Sequence, residues 1–179
     1  TRNLLLGNED SNSSLATNST IFANNNLTIN ATNTDISNNG SIVSNNNLTI
    51  TANSLTNKTT NSINTAQIKS ENNLTITTQS DIKNIAADIV AKNHLTLTSL
   101  SGNITNTALI QTNDQNLLNQ NPDSYLAIAA SGNNNISSSL LRTANINGGN
   151  ISINAGNNFN NLAANITTTK NTLSDSSIT

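Results

Sequence analysis

Apolar positions in this chain come in pairs two residues apart, and the pairs recur. Leu27-Thr28-Ile29, Leu48-Thr49-Ile50, Leu74-Thr75-Ile76 and Leu95-Thr96-Leu97 each alternate an aliphatic residue with a threonine. A period of two marks a half-buried strand, because successive strand side chains point to opposite faces, whereas a helix repeats its apolar positions about every 3.6 residues. The leucine anchors lie 21, 26 and 21 residues apart. Six residues before each stands an isoleucine (Ile21, Ile42, Ile68, Ile89), followed two positions on by a small residue (Ala23, Ser44, Ser70, Ala91). A further aliphatic, at Ile36, Leu55, Ile82 and Ile104, follows each strand after five to seven residues.

The unit therefore reads I-x-[AS]-x-x-[NH]-L-T-[IL]. The asparagines before each strand supply turn chemistry, since Asn tolerates left-handed backbone and bonds its own chain. Each repeat predicts a short strand, an Asn turn, a second short strand and another Asn turn. One such unit cannot cover its own Leu and Ile, but stacked units cover each other. The expected fold is all-β, a right-handed parallel β-helix (β-solenoid) with about 20-residue coils, the hand following the general rule for parallel crossovers. At about 4.8 Å per strand, roughly eight coils would make a rod on the order of 40 Å long. Its core ladder is expected to contain Ile21, Leu27, Ile29, Ile42, Leu48, Ile50, Ile68, Leu74, Ile76, Ile89, Leu95, Leu97, Ile146, Ile151, Ile153 and Phe159. The longer interval between Leu48 and Leu74 holds "TNKTTN", read as a corner that bulges outward.

The rhythm divides the chain. Residues 1–20 form an incomplete or fraying first coil, and 21–110 the coils just described. Residues 111–125, which include Pro122, the single proline, are expected to form a loop leaving the coil. Strand-like text resumes at "YLAIAAS", so coils are expected over 126–170, with 171–179 a tail or the start of another coil. In the second block Gly148, Gly149 and Gly156 are expected at turns of positive φ.

Composition narrows the function. Asparagine accounts for 41 of 179 residues and charged residues for 9%, against about 25% in ordinary globular domains. Such polar text raises the alternative of a disordered tract, which the spacing of the aliphatics opposes. A net charge of −2, no basic cluster and three aromatic residues argue against nucleic-acid binding and against an anionic membrane surface. No apolar run reaches the roughly 18 residues of a membrane span. There is no cysteine, so neither a disulfide framework nor a thiolate metal site is available. The opening "TRNLLLGNED" has an apolar run too short for a signal peptide and reads as an internal cut from a longer chain.

Few residues offer chemistry. His94, the one histidine, fills the slot held by Asn26, Asn47 and Asn73 and is read as a turn residue. The acids are dispersed, and Asp81 and Asp88 fall in different parts of one coil, whereas hydrolysis on such a scaffold needs paired carboxylates. "NGGN" at 147–150 lacks the lysine and helix of a phosphate loop. The N-x-[ST] matches, at Asn26, Asn47, Asn57, Asn73, Asn103 and Asn165 among others, follow from composition alone. No catalytic, cofactor or metal site is expected, and the chain is not expected to be an enzyme. One surface stands apart: Thr49/Thr51, Thr75/Thr77 and Thr96/Thr98 should stack into a flat outward array in two columns. Arrays of this kind are the working surface of ice-binding β-solenoids, so a ligand face for ice or glycan is the second expectation.

Over 144–159 the residues Ala144, Ile146, Gly148, Gly149, Asn150, Ile151, Ile153, Ala155, Gly156, Asn158 and Phe159 fit a pattern A-x-I-x-G-G-[DN]-[LI]-x-[LI]-x-A-G-x-[DN]-[IF]. This block resembles the haemagglutinin repeat of filamentous haemagglutinins and CdiA-like exoproteins of bacterial two-partner secretion. It departs from the commonest form at Asn150 and Asn158, where Asp is frequent, and at Asn157, where Arg is frequent. The first block matches more loosely, with few of the family's glycines. The resemblance implies a segment of a large secreted protein, exported through an outer-membrane two-partner transporter and displayed at the bacterial cell surface. There it would act as the shaft of an adhesin facing a host or neighbouring cell, and carry no membrane span of its own.

Overall fold

The computed structural model describes residues 2–6, 19–60, 65–120, 124–127 and 138–169, the first and fourth of these segments largely as backbone. Pro122 and the expected tail at 171–179 lie outside them, as does most of 1–20.

The chain is a parallel β-helix. After β1 (Arg2–Leu6), five coils each contribute three strands. The first is β2 (Thr20–Ala23), β3 (Leu27–Ala31) and β4 (Thr34–Asn38), and the second β5 (Ser41–Ser44), β6 (Leu48–Ala52) and β7 (Leu55–Lys58). The third is β8 (Gln67–Ser70), β9 (Leu74–Thr78) and β10 (Ile82–Ile85), and the fourth β11 (Asp88–Ala91), β12 (His94–Ser99) and β13 (Ile104–Thr107). An excursion follows: β14 (Leu109–Thr112), α1 (Gln115–Gln120), β15 (Tyr125–Ala127) and β16 (Ser138–Arg142). The fifth coil is β17 (Asn145–Gly148), β18 (Asn150–Ala155) and β19 (Phe159–Leu162), and β20 (Asn165–Thr168) begins another.

Each coil has three sides where the sequence pattern suggested two strands. The lone aliphatics Ile36, Leu55, Ile82 and Ile104 lie in strands of their own, which stack as β1-β4-β7-β10-β13-β19. The isoleucine strands stack as β2-β5-β8-β11-β17-β20, and the Leu-Thr-Ile strands as β3-β6-β9-β12-β18. Five complete coils, rather than eight, occupy the described residues, because the excursion takes up 109–143, and 170–179 and most of 1–20 lie outside them.

Register explains the core. Ile21, Ile42, Ile68, Ile89 and Ile146 pair in one column, and Leu27, Leu48, Leu74, Leu95 and Ile151 in the next. Ile29, Ile50, Ile76, Leu97 and Ile153 form a third. Members from the second to the fourth coil, with Ile146, are buried. Each such side chain contributes about 1.5–3 kcal/mol by leaving water. Toward the ends Leu27, Ile29, Ile151 and Ile153 are only partly covered. Phe159 departs from the expected core: it pairs with buried Ile104 but is 41% exposed, because β19 is the last strand of its sheet and nothing described lies on its far side.

The glycines are required for a different reason than expected. None of Gly148, Gly149 and Gly156 has a positive φ. A Cβ on Gly149 would lie 2.5 Å from the Asn93 carbonyl oxygen, and one on Gly156 2.4 Å from that of Leu100. At these corners one coil's backbone rests directly on the next, leaving no room for a side chain. Positive φ occurs instead at Ala86 and Ala163, both at 50°. These two residues hold the same place in "Asn84-Ile85-Ala86-Ala87-Asp88-Ile89" and "Asn161-Leu162-Ala163-Ala164-Asn165-Ile166".

The excursion takes up more chain than the 111–125 loop. Tyr125–Ala127 is indeed a strand, but it pairs with β14 outside the coil, and β16 returns antiparallel to β14. The coil resumes only where Asn145 pairs with Asp88.

Candidate functional site

Three surfaces carry the polar chemistry, and stacking builds all three. The first is internal. Asn38, Asn57, Asn84, Asn106 and Asn161 each stand two residues after the first apolar residue of the third side. Nδ2 of each donates to Oδ1 of the next: Asn38 to Asn57 at 2.7 Å, then Asn57 to Asn84, Asn84 to Asn106 and Asn106 to Asn161, each at 2.8 Å. Remaining amide hydrogens reach turn carbonyls, such as Ala87 at 2.8 Å from Asn84. The first four side chains are buried, so their amides are satisfied without water. Sequence reading missed this ladder. Its signal, an Asn at a fixed offset from Ile36, Leu55, Ile82, Ile104 and Phe159, was hidden among so many other asparagines.

The second surface is the corner before the Leu-Thr-Ile strands. Asn25, Asn46, Asn72 and Asn93 stack there, with Asn46 donating to Asn25 at 3.2 Å, Asn72 to Asn46 at 3.0 Å and Asn93 to Asn72 at 2.7 Å. Beside them Asn47 donates to Asn26 and Asn73 to Asn47, at 3.1 and 3.0 Å. Donation here runs toward the N-terminal coil, opposite to the buried ladder. His94 takes the next place: its backbone N–H donates to Asn73 Oδ1 at 3.2 Å, and its Nδ1 lies 3.3 Å from Asn150 Nδ2. Inside the corner the Ser70 hydroxyl donates to the Asn73 carbonyl at 2.9 Å and accepts from the Asn72 N–H at 3.2 Å, holding the turn.

The third surface is the outward face of the Leu-Thr-Ile sheet. Register places Thr28, Thr49, Thr75, Thr96 and Ser152 in one column and Asn30, Thr51, Thr77, Thr98 and Asn154 in the other. Thr49 is exposed, and Thr51, Thr75, Thr77, Thr96 and Thr98 are half-exposed. Among the described residues none of these six hydroxyls has a hydrogen-bond partner. The face is uncharged and three strands deep in unbroken Thr-x-Thr.

The acids are dispersed across corners, with one vertical relationship that the linear sequence concealed. Asp35, Ser54, Asp81, Asn103 and Asn158 precede the first apolar residue of the third side in successive coils, so Asp35 and Asp81 share a column with Ser54 between them. Oδ1 of Asp35 accepts from Asn53 at 2.7 Å and Ser54 at 2.8 Å, and these bonds hold its carboxyl below the ordinary value of 3.8. Glu71 is likewise lowered by its hydrogen bond and charge pairing with Lys69. Asp81 Oδ1 accepts from the Asn103 backbone at 2.8 Å. Asp88 accepts from Asn145 at 2.7 Å and pairs with Arg142 at 3.4 Å, while Arg142 Nε donates to the Ala86 carbonyl at 2.9 Å. That trio ties the foot of the excursion to the coil beneath. Among the described residues no group of three or more His, Cys, Asp or Glu side chains is placed to hold a metal ion. Nor is any described helix long and apolar enough to cross a membrane.

Fold and surfaces together define a parallel β-helix whose exposed chemistry is amide and hydroxyl. No protein-family model, curated protein or solved structure matches the chain.

Proposed function

We propose that this chain is a shaft segment of a large secreted bacterial exoprotein of adhesin type, displayed at the cell surface after export through an outer-membrane two-partner transporter. The observation that carries this reading is the unbroken coil register, which resumes at Asn145 against Asp88 after the excursion. A rod that keeps its core columns while projecting a side module suits holding something away from a cell. The haemagglutinin-like residues also occupy positions where that pattern has physical sense. Ala144 and Ile146 are buried, and Gly149 and Gly156 lie at corners without room for a Cβ. A chain without cysteine, whose repeats are each covered by neighbours, suits export unfolded and folding coil upon coil outside. Antibodies raised against these 179 residues should label intact producing cells or recover the protein from the medium. Labelling that requires permeabilised cells would overturn the reading.

The second reading is a ligand-binding solenoid that uses the threonine face for ice or glycan. It is favoured by the aligned columns through Thr49, Thr75 and Thr96 and through Thr51, Thr77 and Thr98. A flat, regular array of hydroxyls fits a ligand that is itself regular.

A further inference from the structure

The sheet built from β3, β6, β9, β12 and β18 is set apart by what it lacks. None of its five strands contains Asp, Glu, Lys, Arg, Phe, Tyr or Trp. The three aromatic residues of the chain, Phe22, Tyr125 and Phe159, fall in β2, β15 and β19. Outward on the central strands stand six threonines, Thr49 and Thr51, Thr75 and Thr77, Thr96 and Thr98, in register across three coils. The patch has defined limits. Its second column stops at Asn30, whose Oδ1 accepts from Thr32 at 2.7 Å, and at Asn154.

The geometry of this patch suits a solid. Neighbouring threonines lie about 4.8 Å apart across strands and about 6.6 Å apart along one strand. Such a grid repeats in two directions, whereas a single polysaccharide chain repeats in one and can follow only one column. Sugars also present an apolar ring face, which binding sites meet with aromatic side chains, and this sheet has none. Frozen water fits better. A threonine hydroxyl both donates and accepts, as water does at an ice surface, and none of the six is engaged among the described residues. The methyl beside each hydroxyl restricts the orientation of first-shell water. Branching at Cβ keeps each side chain in one rotamer, and behind the patch Leu48, Ile50, Leu74, Ile76, Leu95 and Leu97 are buried. The grid is therefore fixed before a ligand arrives, and little conformational entropy is lost on contact.

We infer that the ligand of this face is ice, held by the six threonines through methyl and hydroxyl together. The inference rests on the ligand-binding reading of the threonine face and is independent of the shaft reading. Water lying over the methyls and hydrogen-bonded to the hydroxyls takes the spacing of the grid. That ordered layer joins an ice lattice, which repeats in two directions at distances of the same order. The bound rod then blocks addition of water at that point of the crystal.

The test uses the 179-residue chain and three single variants, Thr75→Lys, Thr96→Lys and Ser37→Lys. Ser37 is half-buried between inward Ile36 and Asn38 on the third side, away from the patch. Melts matching the parent's establish that each variant is folded, and the two threonine variants give the reading twice. Ice is grown slowly into a dilute solution, and protein is measured in the ice and in the remaining liquid. Wild type and Ser37→Lys should be enriched in the ice, and both threonine variants should be excluded from it. The same proteins are sedimented with crystalline chitin and cellulose. Wild type that is excluded from ice but sediments with either polysaccharide would overturn the assignment to ice and keep the ligand reading. Binding to neither solid would remove both. Uptake of the threonine variants into ice would overturn the assignment to this face.

Discussion

Nδ2 of Asn84 donates to Oδ1 of Asn106 across 2.8 Å, and the two residues are 22 positions apart, one full coil. Both are buried, and Asn84 also accepts from Asn57 and donates to the Ala87 carbonyl. Replacing Asn84 with alanine strands amide groups above and below it. The expected loss is about 3 kcal/mol, since each buried unsatisfied partner costs about 1–3 kcal/mol. Asn47→Ala on the exposed corner ladder should cost no more than about 0.5 kcal/mol, because water replaces its partners. Urea denaturation of the two variants checks the contrast, and equal losses would contradict it.

Coil-on-coil contact makes the corner glycines unequal. A Cβ on Gly102 would come 2.5 Å from the Ser80 carbonyl carbon, whereas one on Gly148 would meet side-chain carbons of Ile151 and Leu95 at 3.0 Å and the Asn150 carbonyl oxygen at 3.3 Å. Gly102→Ala must lift one coil from the next and should cost about 1–3 kcal/mol, the range of an overpacked core. Gly148→Ala should cost clearly less. Thermal melts that reverse this order would show that the corner can yield.

Asp35 gives stability a direction with pH. Its two side-chain hydrogen bonds hold the folded-state carboxyl below 3.8, so the unfolded chain binds the proton first as pH falls. The contribution is complete above that value and disappears as acidification carries the carboxyl through its lower folded-state value. Glu71, lowered by Lys69, acts with the same sign, and as an exposed pair it should weaken further in salt. Melting temperatures recorded from neutral pH downward should therefore fall below about pH 4. Asp35→Asn should flatten that fall, and an unchanged profile would remove Asp35 from the explanation.

On the threonine face, Thr49, Thr75 and Thr96 adjoin in register, so three lysines placed there put like charges on neighbouring strands of the flat array. If the face binds ice or an insoluble glycan, wild-type protein should inhibit ice recrystallisation or sediment with the polysaccharide. The triple variant should do neither while keeping its far-UV spectrum. Equal behaviour of the two proteins would discard the ligand reading and leave the shaft reading intact.

The excursion can be cut out. It enters after Ala108 and returns at Ala144, so residues 109–143 separate two alanines. Joining them yields Asn-Thr-Ala-Ala-Asn-Ile, which shares the Asn-x-Ala-Ala-[Asp/Asn]-Ile form of the turns at 84–89 and 161–166. A chain lacking 109–143 should fold with a cooperative melt at least as high as the parent's, because the shorter connection costs less entropy to close. Loss of the cooperative transition would show that the module helps build the coil.

How much of this was legible depended on whether a position's neighbours lay along the chain or along the rod. The Ile42–Ile68–Ile89 and Leu48–Leu74–Leu95 columns announce themselves, because a hydrophobic period of two with a fixed offset survives in linear text. The third side was visible only as one aliphatic per repeat. A four-residue strand such as Leu55–Lys58 shows a single Leu, and its other inward position is filled by Asn57. The return from the excursion was hidden for a related reason. "YLAIAAS" has strand character and its first three residues form β15, yet pairing, not character, decides whether a strand belongs to the coil. Positive φ was assigned to glycines by habit of chemistry, while the chain places it at Ala86 and Ala163 and uses Gly149 and Gly156 to let backbones touch. The threonine columns were legible in outline; register adds Thr28 and Ser152 to the first, while the second is broken by Asn30 and Asn154.

The opposed donation in the two asparagine ladders has an electrostatic consequence. In the buried ladder every side-chain amide donates toward the C-terminal coil, and in the corner ladder every one donates toward the N-terminal coil. Each row sums its amide dipoles along the axis as an α-helix sums its peptides. The buried row thus runs against the corner rows and lowers the net axial dipole of the rod. What either row leaves at a tip is only the polarity of its last unpaired amide, which does not grow with the number of coils, so the rod can lengthen by whole coils at no added electrical cost.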